Sequence, residues 1–246
     1  MKFIQPPEKG SWVTAREDIA AGKSQEKLRV DLKQRVLSVQ SWFFDLDDNH
    51  ADSPAKIIVR SAIGTSYCNP QYLKWCVTAG LSLLHQGKAA ESACWQNYVQ
   101  QFLRDPEAQE KARELFSPQK VQSSLYPGVE SFCSMVSSAD TSYVTRNITP
   151  VAEAYAKCLG INGCFAQANH KEKVVEQYVQ GHPELQRYGV DGDSQEDGAM
   201  IDVLHFYKKQ VVGLYSMESP TQNMDLRFDY ATSKNRSGLV RILMNS

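Results

Sequence analysis

The sequence contains no apolar run near the ~18–20 residues that a membrane-spanning helix needs, and its first residues, Met1-Lys2-Phe3-Ile4-Gln5-Pro6-Pro7, lack the apolar core of a secretory leader. A cytoplasmic location and no membrane partner are therefore expected. Long basic stretches are also missing. The 27 Lys and Arg against 28 Asp and Glu leave a formal charge of −1, which argues against a nucleic-acid partner and is compatible with a small charged substrate. Cys68, Cys76, Cys94, Cys133, Cys158 and Cys164 have no metal-ligand spacing, and a chain this long needs no disulfide framework, so reduced and mostly buried thiols are expected. Internal repeats and low-complexity segments are absent. What is present is 246 residues, 42% of them hydrophobic, enough for one large domain or a core domain carrying a smaller insert.

Periodicity divides the chain into three parts. Residues 1–37 are polar, with a charged helical run from Ser24 to Val36, and are expected as an amino-terminal extension packed on the outside. Residues 54–124 show helical patterns only (Pro54 to Ile63, Pro70 to His85, Ala89 to Leu103, Pro106 to Phe116) and are expected as an inserted helical cap. Residues 38–53 and 125–246 alternate strand and helix. Strands are predicted at Val39 to Phe44, Thr141 to Thr145, Gly163 to Ala166, Tyr188 to Val190 and Val211 to Tyr215. Helices are predicted over Pro150 to Leu159, Lys171 to Val179 and Glu196 to Tyr207, with a last strand at Asp225 to Asp229 and a closing helix at Gly238 to Met244. Such alternation predicts an α/β fold: a doubly wound, parallel-sheet, Rossmann-like core with right-handed crossovers.

Two acidic clusters, Asp45-Leu46-Asp47-Asp48 and Asp193-Ser194-Gln195-Glu196-Asp197, each follow a strand-like run. Both are thus expected at the carboxyl ends of parallel strands, where open α/β sheets build ligand sites. An isolated Asp-x-Asp is more often a solvated loop or a helix cap. The pair together suggests one magnesium site, because Mg2+ takes hard oxygen ligands and keeps several waters. Phosphoryl transfer through a covalent intermediate needs a carboxylate nucleophile, a neighbouring acid/base and a cation. Asp45 fits the first role and Asp47 the second. Asp45, the backbone carbonyl of Asp47, and Asp193, with Asp197 nearby, fit the metal.

With these residues in view, the chain resembles the haloacid dehalogenase superfamily, whose phosphatases carry four short motifs in order. Phe44-Asp45-Leu46-Asp47-Asp48-Asn49 is similar to the first and Tyr143-Val144-Thr145-Arg146-Asn147 to the second. His170-Lys171-Glu172-Lys173-Val174-Val175 is similar to the third and Gly192-Asp193-Ser194-Gln195-Glu196-Asp197 to the fourth. The resemblance implies that Thr145 hydrogen-bonds a phosphate and that Lys171, or failing it Lys173, stabilises charge on the nucleophile. It also implies a cap that rejoins the core at Tyr126-Pro127-Gly128 and a small phosphorylated substrate. Asn49 stands where the family usually has threonine or valine, and Pro54 stands where the phosphoserine branch has glutamate, so that substrate is not assigned. Asp47 argues against the dehalogenase branch. A phosphomutase, or a binding protein that kept the fold, are the alternatives. Arg146 is a candidate substrate contact, whereas His50 is expected to play only a surface or hinge role.

Overall fold

The computed structural model describes residues 1–51, 70–86 and 116–245, together with Ala90, Ala93, Cys94, Asn97 and Glu114. Strands β1 (Lys2–Glu8) and β2 (Ser11–Ala15) come first, followed by helices α1 (Glu17–Ala20) and α2 (Gln25–Leu37) and strand β3 (Ser41–Phe44). After α3 (Pro70–Gln86), α4 (Pro118–Ser124) and α5 (Val129–Met135) the chain alternates through β4 (Asp140–Val144), α6 (Thr149–Leu159), β5 (Gly163–Phe165) and α7 (Lys171–Gly181). It ends with β6 (Arg187–Gly192), α8 (Gln195–Phe206), β7 (Gln210–Met217), β8 (Tyr230–Ser233) and α9 (Ser237–Met244).

One sheet runs in the order β1-β2-β8-β7-β6-β3-β4-β5. The six strands from β8 to β5 are parallel, while β2 joins β8, and β1 joins β2, antiparallel. Central parallel strands are covered on both faces and so carry unbroken apolar runs. In β3, Ser-Trp-Phe-Phe is wholly buried. Its period of two sends Trp42 and Phe44 into one core, with Leu32, Phe132, Tyr155 and Leu239, and Phe43 into the opposite core, with Val175, Val179, Ile201 and Leu204. Helices α2, α5, α6 and α9 therefore cover one face, and α7 and α8 the other. Because β4 and β5 lie on one side of β3 and β6 to β8 on the other, the connection reverses direction at β3. That reversal opens a crevice at the carboxyl ends of β3 and β6.

Two expectations are corrected here. Residues 1 to 36 are not simply an outer extension, since β1 and β2 extend the sheet and β2 is buried along its whole length. Pro6 and Pro7 argue against a strand by pattern, yet β1 is the sheet edge, where missing N–H donors cost little, and its pairing with β2 is bulged on either side of Gln5. The last strand is Tyr230–Ser233 rather than Asp225 to Asp229. Arg227 N and Nε both donate to Asp225 Oδ1 and Phe228 N donates to Asp225 O, which closes that segment into a turn.

The helix expected at Pro70 to His85 is present as α3. The helices expected over Pro54 to Ile63, Ala89 to Leu103 and Pro106 to Phe116 lie largely outside the described residues. Ala51 and Leu125 lie side by side at the edge of the core: Ala51 forms an antiparallel bridge with Leu125, and Tyr126 N donates to His50 O at 2.9 Å, while Val121 on α4 already belongs to the core. Among the described residues no helix is long and apolar enough to cross a membrane. Of the described cysteines, Cys133 is buried but Cys76, Cys94, Cys158 and Cys164 are only half-buried, less than the composition suggested.

Candidate active site

Asp45 is the first residue beyond β3 and is 6% exposed. Its N–H donates to Asp191 O on β6 at 2.9 Å, continuing the strand pairing by one step, and its Oδ1 accepts from Leu46 N at 2.8 Å. The loop then closes through Asp48, whose φ of 56° is left-handed and whose N–H donates to Ala51 O. Of the residue types tolerating that conformation, aspartate is one of the few besides glycine.

Lys171 opens α7 and is buried. Its ammonium lies 2.8 Å from Asp45 Oδ2 and 2.6 Å from Asp197 Oδ1, bridging the first and last motifs. Lys173, the other candidate, is exposed. Asp197 is fully buried in the first turn of α8, where Ser194 caps the helix in a reciprocal box. Asp197 Oδ2 accepts from Asp193 N at 3.0 Å, Ser194 N at 3.0 Å and Ser194 Oγ at 2.8 Å. Gly192 permits this turn, because a Cβ there would sit 2.4 Å from the Asp197 side chain.

Asp193 completes a group of three carboxylates, Asp45, Asp193 and Asp197, whose oxygens lie within 4.8 Å of one another and could hold a cation. Burial pushes the Asp45 carboxyl well above the ordinary range; Lys171 opposes the shift, and Asp197, Asp193 and Asp47 add to it. Burial, then Asp197, pushes Asp193 up to about 7. Burial works against the charge on Lys171, but Asp197 and Asp45 outweigh it and hold the ammonium protonated. One buried cation is thus set against several desolvated carboxylates, which favours a further positive charge. Asp197 Oδ2 already accepts three hydrogen bonds and its Oδ1 meets Lys171, whereas Asp45 meets Leu46 N on one oxygen and Lys171 on the other, so Asp45 and Asp193 are the better placed to act as ligands.

Asp47 is half-buried, and Asn147 Nδ2 donates to its Oδ2 at 2.6 Å. Thr145, just past β4 and fully buried, accepts from Asn147 N at 3.2 Å through Oγ1. Asn147 belongs to the second motif, but no role for it was expected from the motif. Arg146 is ion-paired with Glu196. A polar cleft of about 590 Å³ opens beside Asp48 and Asp193, lined also by Tyr215, Glu218, Gln222, Asn223 and Lys234. Lys234 Nζ lies 3.4 Å from Asp48 Oδ1 and 3.2 Å from Glu218 Oε1.

His50 is corrected from a surface residue to a fully buried one. Nδ1 is 2.9 Å from Tyr143 Oη and Nε2 3.3 Å from Asp191 Oδ2. Burial lowers its pKa, against the pull of Asp191, and favours the neutral ring. The sequence reading also missed Asp191, Ser216 and Arg236, which sit with His50 and Asn49 beneath the Asp45 loop. No local pattern marks them.

No family model matches the chain, and no curated protein matches it. Solved structures do. A putative haloacid dehalogenase-like hydrolase from Burkholderia xenovorans LB400 superposes with a TM-score of 0.50 at 12% identity, covering 82% of this chain and 94% of its own. A protein of unknown function from Bordetella pertussis Tohama I superposes with a TM-score of 0.53 at 12% identity, covering 74% and 92%. At that identity the likeness establishes the fold.

Proposed function

We propose that this chain, which has the fold of a haloacid dehalogenase-like hydrolase, is a magnesium-dependent phosphatase acting on a small phosphorylated metabolite through an aspartyl-phosphate. The observation that carries the reading is the buried Lys171 ammonium bridging Asp45 and Asp197. It brings three of the four motifs to one point at the carboxyl ends of β3 and β6, and Asn147 ties Asp47 to the remaining one.

In the first step an Asp45 carboxylate oxygen bonds to phosphorus while the bond from phosphorus to the ester oxygen breaks. Asp47 gives its proton to that oxygen. In the second step water attacks the same phosphorus, Asp47 takes back a proton, and the bond between Asp45 and phosphorus breaks to release phosphate. Lys171 favours the ionised nucleophile against the burial that raises its pKa and offsets charge on the transferring group, and Thr145 is the hydroxyl assigned to the phosphate. Asp45, Asp193 and the Asp47 carbonyl are assigned to Mg2+, with Asp197 holding Lys171 and the turn. When bound, the ion neutralises phosphoryl charge and orients the group. Residues 54–124 act as the cap, excluding bulk water when closed over the crevice.

The test is phosphate release from an aryl phosphate, with Mg2+ or with chelator, by the parent protein, Asp45→Asn and Asp47→Asn. Activity that needs the metal, is abolished in Asp45→Asn and falls about 10²–10⁴-fold in Asp47→Asn supports the mechanism. Parent protein that neither turns over a panel of phosphate esters nor binds beryllium fluoride with Mg2+ retires it.

A further inference from the structure

Arg236, immediately before α9, is fully buried beneath the Asp45 loop. One nitrogen, Nη2, lies 2.6 Å from Asp191 Oδ1, 2.6 Å from Asn49 Oδ1 and 2.5 Å from Ser216 Oγ, and Nη1 bonds Thr232 Oγ1. Asn49 is also fully buried. Its amide Nδ2 donates to Asp45 O at 3.1 Å and to Asp191 O at 3.0 Å. Only one orientation of that amide satisfies both ends, since the guanidinium can only donate and the two carbonyls can only accept. The main chain of Asp45 is therefore gripped on both sides: N–H by Asp191 O, and C=O by an amide whose far end Arg236 holds.

The charges in this layer balance. Asp191 Oδ1 faces Arg236, and its Oδ2 faces His50 Nε2. A buried ion pair is a weak source of net stability, because desolvation offsets most of its attraction. Its distinctive consequence lies in geometry. A threonine or valine in place of Asn49 has no amide to span the gap between Asp45 O and a guanidinium, so Asn49 and Arg236 form a matched pair. The departure from the family pattern at residue 49 thereby acquires a physical partner.

We propose that Arg236 is a positioning residue for the nucleophile: through Asn49 and Asp191 it fixes the backbone of Asp45 so that the carboxylate meets Lys171 and the incoming phosphorus. The kinetic arm of this inference rests on the phosphatase reading, and the structural arm does not. Rate is the property most exposed to such a residue, since misplacing a reacting group by about 1 Å can cost 10²-fold.

The test uses two variants of the full chain. Arg236→Lys keeps a charge for Asp191, but a single ammonium cannot satisfy Asp191, Asn49, Ser216 and Thr232 together. Arg236→Met combined with Asp191→Asn removes both charges, leaving no unpaired ion while cutting the tie to Asn49. Melting midpoint, peptide-resolved amide hydrogen exchange and phosphate-release kinetics are measured on each. The expected result is a near-parental midpoint and exchange at least about tenfold faster confined to peptides spanning 45–51. With it kcat drops at least about tenfold while KM is little changed. Parental exchange over 45–51 in both variants overturns the inference. So does acceleration spread evenly over the sheet, or Arg236→Lys failing to fold, either of which assigns Arg236 to bulk stability. If the parent releases no phosphate, the phosphatase reading falls and the exchange pattern alone decides the positioning role.

Discussion

Replacing Lys171 with methionine isolates the electrostatic problem at the centre of the site. The substitution keeps most of the side-chain volume and deletes one charge, leaving Asp45 and Asp197 with side chains 8% and 0% exposed and no ammonium at 2.8 and 2.6 Å. Breaking a buried pair by removing one partner costs about 3–5 kcal/mol. The lower end applies here, because Asp45 is already pushed towards its neutral form and can take up a proton instead of staying charged. For a chain of this size each kcal/mol lowers the melting midpoint by roughly 2–4 °C, so a fall of about 6–12 °C is expected in chelator at neutral pH. Saturating Mg2+ replaces the missing positive charge. At about 100 times its dissociation constant a ligand contributes about 2.7 kcal/mol, so the metal should close much of the gap. Thermal denaturation followed by circular dichroism, with and without Mg2+, reads both effects. A fall below about 2 °C, or a deficit that Mg2+ leaves unchanged, would refute the idea that Lys171 holds buried like charges together.

Acidic side chains with raised pKa values also make stability depend on pH. Asp193 is raised from 3.8 to about 7, so the native state holds a proton that the unfolded chain releases. Metal-free protein should lose stability as pH rises through that window, by at most about 4 kcal/mol for this group. Mg2+ should flatten the slope, and a midpoint that climbs from pH 4 to 7 in chelator would contradict the assignment. Gly128 has φ +83°, and a Cβ there would lie 2.6 Å from Ser237 N and 2.8 Å from Arg236 C, both backbone atoms. Gly128→Ala is therefore expected to cost upwards of about 2 kcal/mol in urea unfolding, whereas Gly22→Ala, with open space around its Cβ position, should show only the penalty of its own positive φ.

The cluster of Asp45, Asp193 and Asp197 was legible because its residues follow strands that announce themselves. Trp42-Phe43-Phe44 stops abruptly at Asp45, and the run ending in Gly192 stops at Asp193. The pairing of Phe44 with Asp191 and with Tyr143 then brings those ends into line. Lys171 could not be separated from Lys173 by spacing, since both lie in the first turn of one helix; burial separates them. The edge strand β1 was hidden by its two prolines and by polar residues that an edge tolerates. Arg236 was invisible for a different reason. Its partners Asn49, Asp191, Ser216 and Thr232 come from four separate stretches of chain, and no local periodicity encodes a contact closed only by tertiary folding.

The side-by-side exit and return of the chain at Ala51 and Leu125 has a consequence for how such a protein can diverge. To the sheet, the two crossings form a single doorway. Doubling the length of a flexible excursion costs only about 0.6 kcal/mol in closure entropy, so the doorway places little restriction on what is hung from it. Asp45, Asp193 and Asp197 belong to the sheet side of the doorway and keep their register whatever lies beyond. A new insert can therefore be tried, enlarged or exchanged without disturbing the chemistry, and selectivity and reactivity can be inherited separately.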